Sequence, residues 1–452
     1  MNIIKNDFLT INWSLTPYQI LALTFASLIF TGTFLLMLPV SSTTGQLTPF
    51  VDALFTATSA ACVTGLNVVD PGTYYSTFGQ MVIIMLIQFG GLGIMTMTTL
   101  MTIIMRRKLQ LRERLIMQEA LNQITISGIA RLVQHLVKAT LLIEFIGGTI
   151  LACRFYIDFG PVGIYYGYWH AISAFCNAGF DIIGCNNGNL MPYVGDLTVN
   201  LVITSLIILG GLGFIVLIDL TSCRSFSLLR LHSKVVITTT AGLIILGTVA
   251  IFFLEYSNPD TMGHLSFSEK IIASYFQAVT VRTAGFATVN IGLMTNASLF
   301  LMIILMFIGA SPGSTGGGIK TTTFAVILAS VIDQIRGKED TVLFYRAVPH
   351  TMLRRAFTIF FVSLLIVLAV SFMIDINEPT INADAIAFET VSALSTTGLS
   401  TGITSSLNDG SKYLLSLAMF LGRVGPVTFA MALVMSSKKG QIHYPEGKIS
   451  IG

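Results

Sequence analysis

Charge is what this 452-residue chain has least of: 10% of its residues are Asp, Glu, Lys or Arg, against 53% apolar. Soluble domains carry about 25% charged residues. The composition, with a mean hydropathy of +0.79, therefore excludes an ordinary soluble enzyme and points to a polytopic membrane protein. Cysteine is scarce and odd in number (Cys62, Cys153, Cys176, Cys185, Cys223) with no Cys-x-x-Cys pair, so neither a disulfide framework nor a zinc site is expected. The six histidines form no i, i+4 pair, and no Ser/His/Asp grouping or phosphorylated-Asp motif appears, so no covalent chemistry and no enzyme activity is expected. No cleavable signal is apparent between Met1 and Thr16, and the first long apolar run opens at Pro17.

Glycine, by contrast, is plentiful and periodic. One short phrase is written four times: Cys62-Val63-Thr64-Gly65, Cys176-Asn177-Ala178-Gly179, Arg282-Thr283-Ala284-Gly285 and Ser395-Thr396-Thr397-Gly398. Each is followed by a large apolar residue, and the glycines stand 114, 106 and 113 residues apart. Ten positions before each glycine is an aromatic (Phe55, Trp169, Tyr275, Phe388). Ser59-Ala60, Ser173-Ala174 and Ser392-Ala393 precede three of the glycines, where the third phrase has Val279-Thr280. A fourfold internal repeat dictates the architecture before any other reading.

Apolar runs long enough to span hydrocarbon, about 20 residues each, lie at 18–38, 79–104, 132–152, 198–220, 235–254, 298–330, 356–374 and 413–435. They bracket the phrases in pairs. The expected fold is an all-α polytopic membrane protein of four covalently linked helix–pore-loop–helix units around one pseudo-fourfold pore, with eight spanning and four re-entrant helices. The units are 17–105, 132–221, 235–331 and 356–435; linkers 106–131, 222–234 and 332–355 join them, with segments 1–16 and 436–452 at the ends. The short helices have start signals at Thr48-Pro49, at Ser266 to Glu269 and at Asn382 or Asp384, but none near Tyr165. Gly90-Gly91-Leu92-Gly93, Gly210-Gly211-Leu212-Gly213 and Gly422-Arg423-Val424-Gly425 recur in the second spans, where small residues let helices approach.

Placing both termini inside puts 19 of the 25 Lys and Arg in inner segments, including Arg106, Arg107, Lys108, Arg112, Arg114 and Arg131 and a second cluster from Arg336 to Arg355. The positive-inside rule favours this orientation in a bacterial plasma membrane; the clusters either obey that rule or bind a partner. Thirteen of the 22 Asp and Glu then face outward, among them Asp52, Asp70, Asp181, Asp384 and Glu389. They form either a cation-concentrating mouth or an ordinary solvated face.

Four re-entrant loops around one axis would aim backbone carbonyls at Gly65, Gly179, Gly285 and Gly398 toward a dehydrated monovalent cation, because glycine reaches the required dihedrals at little steric cost. The preceding helices would turn their partly negative C-terminal ends to the axis. The phrases, the stretch from Gly309 to Thr321, the Gly422-Arg423 pair and the tail from His443 to Gly452 together resemble the Trk/Ktr/HKT superfamily of potassium transporters, and within it the KtrB-type membrane subunits. That resemblance implies potassium uptake, a homodimer with one pore per protomer, and regulation by a cytosolic nucleotide-binding ring of KtrA type. It places the four phrases in a selectivity filter and implies no covalent cofactor and no nucleic acid. Each phrase has one glycine where the potassium-channel TVGYG has two, so weaker discrimination is expected, and sodium-coupled symport or less selective cation transport is the alternative. Inverted halves, which many symporters show, are absent, and the inner segments are too short for an ATP-driven pump.

The third unit is interrupted. Gly309-Ala310-Ser311-Pro312-Gly313-Ser314-Thr315-Gly316-Gly317-Gly318 breaks an apolar run, with Pro312 removing a donor and five glycines each costing about 1 kcal/mol of helix propensity. The resemblance makes this loop an intramembrane gate. Its continuation Ile319-Lys320-Thr321 nearly completes a phosphate-binding loop, but Ile319 separates Gly318 from Lys320, so nucleotide binding by this chain is not expected. Arg423 is an intramembrane cation that would hinder permeant ions, hold the gate loop or pair with a carboxylate. Arg282 is expected to brace loop carbonyls, and Lys320 and Lys138 to snorkel inward.

Overall fold

Thr16 starts the first helix: its hydroxyl accepts from Gln19 N–H (3.3 Å) while Gln19 Oε1 accepts from Thr16 N–H (3.0 Å), and Pro17 follows at N1. The computed structural model describes residues 16–93, 129–183, 190–223, 225–426 and 428–429. The arginines and lysine at 106–114, Cys185, the ends of two apolar runs (94–104 and 430–435), the tail 436–452 and residues 1–15 lie outside the described residues, as does the side chain of Arg131.

Among the described residues the chain is helical apart from a two-strand hairpin, β1 Val342–Leu343 and β2 Arg346–Ala347. Each unit opens on a long helix: α1 (Pro17–Met37), α4 (Ile129–Phe159), α8 (Leu231–Glu255) and α12 (His350–Asn377). These four are long and apolar enough to cross a membrane. Phe361, Leu365, Leu368 and Phe372 make an exposed stripe down α12, as lipid-facing side chains at helical spacing do. A short helix follows in each unit: α2 (Phe50–Cys62), α5 (Val162–Phe175), α9 (Phe267–Thr280) and α13 (Ala383–Leu394). Ser266 and Glu269 form the expected capping box on α9. Thr48 does not cap α2: the N-cap is Pro49, without a side-chain hydrogen bond, and Asn382 likewise caps α13 with its backbone alone.

The second runs of the first, second and fourth units differ from the continuous helices read from hydropathy, whereas the third is interrupted as expected. α3 (Thr77–Leu92) ends at Gly93, φ +82°. α6 (Leu197–Leu212) ends at Gly213, φ +91°, and α7 (Phe214–Ser222) leaves at 97° to it. α10 (Asn296–Phe307) and α11 (Thr321–Ile335) flank the interrupted loop, and α14 (Asp409–Val424) ends at Gly425, φ +94°. The last glycine of each small-residue motif therefore breaks the helix, because only glycine enters that region cheaply. The first glycine packs. A Cβ at Gly90, Gly210 or Gly422 would collide with the carbonyl of Ala61, Phe175 or Leu394 in the last turn of the unit's own short helix. Gly90→Ala is accordingly expected to destabilise the fold by about 1–3 kcal/mol, seen as a lower midpoint of thermal unfolding in detergent; an unchanged midpoint would contradict the close approach.

The units close into a circle. α3 packs on α5, α6 on α9, α10 on α13, and α14 returns to α2, so each second helix meets the next unit's short helix. Phe55, Trp169 and Phe388 wedge these contacts, all nearly fully buried, and Trp169 Nε1 donates to Gln80 O (3.3 Å). In the third unit the fully buried ring is Phe276, not Tyr275.

Candidate functional site

The four phrases share one backbone shape. Two residues before each glycine the chain turns left-handed, at Val63 (φ +58°), Asn177 (+59°), Thr283 (+71°) and Thr396 (+50°). The glycines follow at +95°, +68°, +79° and +90° for Gly65, Gly179, Gly285 and Gly398. A left-handed β-branched residue is an outlier, and here each turn is anchored to its helix. Thr64, Ala178 and Thr397 N–H donate to Ser59, Ser173 and Ser392 O at 2.7–2.8 Å, and Ala284 N–H to Thr280 O at 2.9 Å. The recurrent hydroxyls brace the loops further. Ser59 and Ser392 Oγ accept from Gly65 and Gly398 N–H (3.0 Å each), while Ser173 Oγ and Thr280 Oγ1 donate to Phe180 and Phe286 O (2.9 and 2.6 Å).

The glycines meet in a ring. A Cβ on Gly179 would lie 2.5 Å from Ala284 O, and one on Gly285 2.5 Å from Thr397 O. Cβ atoms on Gly65 and Gly398 would be closer still to Ala178 O and Thr64 O. Each glycine thus abuts the carbonyl preceding the next unit's glycine, and the fourth abuts the first. The C-terminal ends of α2, α5, α9 and α13 lead into this ring, bringing partial negative charge to it. Thr64, Thr396 and Thr397 carry buried hydroxyls with no partner among the described residues.

Not every residue of the phrases faces the ring. Cys176 Sγ lies behind it, donating to Gln88 Oε1 of α3 at 3.6 Å. Among the described residues Arg282 braces no loop carbonyl: its Nη2 donates to Thr240 Oγ1 of α8 (3.4 Å) and its buried Nε has no partner. Sequence reasoning placed it by adjacency, but the guanidinium is long enough to leave the loop.

The interrupted stretch is non-helical from Ile308 to Lys320 and folds back on itself. Gly309 N–H donates to Ile319 O (2.8 Å), Ala310 N–H to Gly317 O (3.2 Å) and Thr321 N–H to Ala310 O (3.2 Å). Its backbone is satisfied by α6 as well, as buried irregular chain must be. Ser311 and Thr315 N–H donate to Gly211 and Gly210 O, Gly313 O accepts from Phe214 N–H, and Thr315 Oγ1 donates to Phe175 O (3.0 Å). The bend at Gly213 is what presents these groups. At the loop's tip, a Cβ on Gly316 or Gly317 would strike Thr283 or Thr396 Oγ1, so the tip is seated against the left-handed residues of the ring.

Two cations hold it. Lys320 does not snorkel; its Nζ returns to Gly316 O (2.8 Å) and Gly317 O (3.5 Å). Arg423 pairs with no carboxylate among the described residues. Its Nη1 donates to Thr315 O of the loop, and its Nη2 to Gly90 O and to Gly91 O (3.1 Å) where α3 ends. The loop also lines a cavity of about 530 Å³, together with Lys320, Arg355, Arg423 and His232. Nothing in the sequence paired Arg423 with Gly90, because those residues lie 333 apart.

The carboxylates that the expected orientation places outside are less solvated than a count by sidedness implies. Asp52 pairs with Lys412 (2.9 Å) and Asp181 with His170 (2.7 Å). Glu389, 1% exposed, accepts from Ser400 Oγ (2.5 Å), Thr401 N–H (3.0 Å) and Thr404 Oγ1 (3.0 Å), tying down the chain beyond the fourth phrase. Of the five carboxylates singled out, Asp384 is exposed to water.

The family model described as "TrkH: Cation transport protein" matches residues 9–442. The chain is 46% identical to the Ktr system potassium uptake protein B of Bacillus subtilis, over 97% of both chains. It is 37% identical to the potassium/sodium uptake protein NtpJ of Enterococcus hirae, over 97% of this chain and 98% of that one. Its fold is similar to that of the potassium transporter TrkH from Vibrio parahaemolyticus, with a TM-score of 0.73 at 17% identity, covering 92% of this chain and 84% of that one.

Proposed function

The chain belongs to the TrkH family of cation transport proteins, a multi-pass membrane protein and not an enzyme, and on that footing we propose that it takes up potassium through the ring of Gly65, Gly179, Gly285 and Gly398. The ring is the observation that carries the reading: each of the four glycines abuts the carbonyl preceding the next unit's glycine, in cyclic order, and carbonyl dipoles so arranged replace the hydration shell of a monovalent cation. The stretch from Gly309 to Gly318, with Lys320, is the gate. Its tip is seated under the ring, and Arg423 latches it to the end of α3.

Relatives named as parts of a Ktr system support a partner subunit, which we assign to a cytosolic nucleotide-binding ring, and a homodimer of this chain in the bacterial plasma membrane with both termini inside. Sodium-coupled or less selective transport is the second reading, favoured by the relative named for potassium and sodium and by the single glycine per phrase. Flux into proteoliposomes holding this chain, with and without the cytosolic ring and with sodium present or absent, separates the readings. Potassium flux that is independent of sodium is expected. A strict sodium requirement would establish coupling, and no potassium flux from folded protein in any arm would refute uptake.

A further inference from the structure

Glu144 lies at the centre of α4, 15 residues from either end, and is 5% exposed. A carboxylate at that depth is costly unless it is paired or neutral. No ion pair among the described residues includes it. Its donor is Gln88 of α3, whose Nε2 reaches both carboxylate oxygens at 3.2 Å. One turn earlier in α4, Thr140 is fully buried with its hydroxyl unpartnered among the described residues.

Gln88 faces two ways. Its Oε1 accepts from Cys176 Sγ (3.6 Å), the residue that leads into the left-handed turn of the second phrase. Two and three residues further along, Gly90 and Gly91 offer the carbonyls that Arg423 grips. One amide therefore joins an intramembrane carboxylate to the ring and to the latch. The other titratable groups on the neighbouring helices, among the described residues, are accounted for. α3 and α6 carry none. α5 has Tyr165, bonded to Gln80, Tyr166, Tyr168, bonded to Thr149, and His170, bonded to Asp181. On α4 itself His135, Lys138, Cys153, Arg154, Tyr156 and Asp158 are six or more residues away.

We propose that Glu144 is a proton-binding positioning residue: as the neutral acid it leaves the ring unbiased, and on losing its proton to water it places a negative charge behind the second phrase that tightens potassium binding. This rests on the potassium-uptake reading and adds its regulation by pH.

The test is the half-saturating potassium concentration for uptake by the full chain in proteoliposomes, from about pH 6 to about pH 9. It is expected to fall on the order of threefold to tenfold as pH rises, the effect of a unit charge in a low-dielectric site. Glu144→Gln should hold the acid-limit value throughout. In parallel, infrared difference spectra of the same protein should show a protonated carboxylic-acid carbonyl that titrates in the wild type and is missing from Glu144→Gln. A variant that keeps the wild-type pH profile overturns the proposal, as does a titration midpoint that follows sodium concentration at fixed pH, which would assign the carboxylate to a sodium ion. If Glu144→Gln does not fold, Gln88→Leu removes the donor and must move the infrared midpoint to higher pH; an unmoved midpoint overturns the proposal equally. Should no potassium flux be measurable, the infrared titration still decides whether Glu144 binds a proton, so failure of the uptake reading remains distinct.

Discussion

Gly285→Ser is expected to reduce potassium uptake at least about tenfold and to lower discrimination against sodium in whatever flux remains. Two costs combine. Gly285 sits at φ +79°, where an L-residue loses about 1–2 kcal/mol, and its Cβ would lie 2.5 Å from Thr397 O and 3.1 Å from the Cα of Gly179. The backbone must move, and the group that moves is a carbonyl of the proposed filter. Each 1.4 kcal/mol of lost ion binding is a factor of ten, so a shift of one carbonyl suffices. Gly242→Ser in α8, where a Cβ would meet nothing within 4 Å, is the control. Competitive potassium and sodium flux in proteoliposomes measures both variants. An unaltered rate and selectivity for Gly285→Ser would make the filter assignment wrong.

Arg423→Ala should act in the opposite direction and raise potassium flux about tenfold or more. Hydrogen bonds from a charged donor contribute about 1.5–3 kcal/mol each, and this guanidinium spends one on Thr315 O of the loop and two on the end of α3. Removing it leaves the loop tied by its hydrogen bonds to α5, α6 and α7 and by Lys320, so its open population grows. Deleting Gly316 and Gly317, the tip that abuts Thr283 and Thr396, should raise flux by a comparable factor through a different contact. Monodisperse protein with the wild-type thermal midpoint is the condition for reading either variant. Unchanged or reduced flux from such protein counts against a gate.

Several features were legible in the sequence because they are local. A Ser266-to-Glu269 capping box needs only four consecutive residues, and the non-helical stretch from Gly309 to Gly318 follows from glycine and proline propensity. Other features were misread for the converse reason. Hydropathy registers apolar length but not a break in the helix, so the runs through Gly93, Gly213 and Gly425 looked continuous, although a helix ends at each glycine and the chain bends by 97° at Gly213. Sidedness counts charges but not their partners, so Glu389 looked solvated while three residues beyond the fourth phrase bury it. Lys320 has a stem long enough to reach water, yet nearer carbonyls at Gly316 and Gly317 capture it.

The membrane, the fourfold repeat, the four short helices and the place where the third unit breaks can all be read along the chain. Each of these rests on composition, period or propensity, which neighbours along the chain set. Tertiary structure alone decided that the four glycines close a ring, that Arg423 bridges the loop to Gly90, and that Glu144 reaches Cys176 through Gln88. Those contacts join residues far apart in the chain, and hydrogen bonds of about 3 Å form only where the packing of helices brings donor and acceptor together.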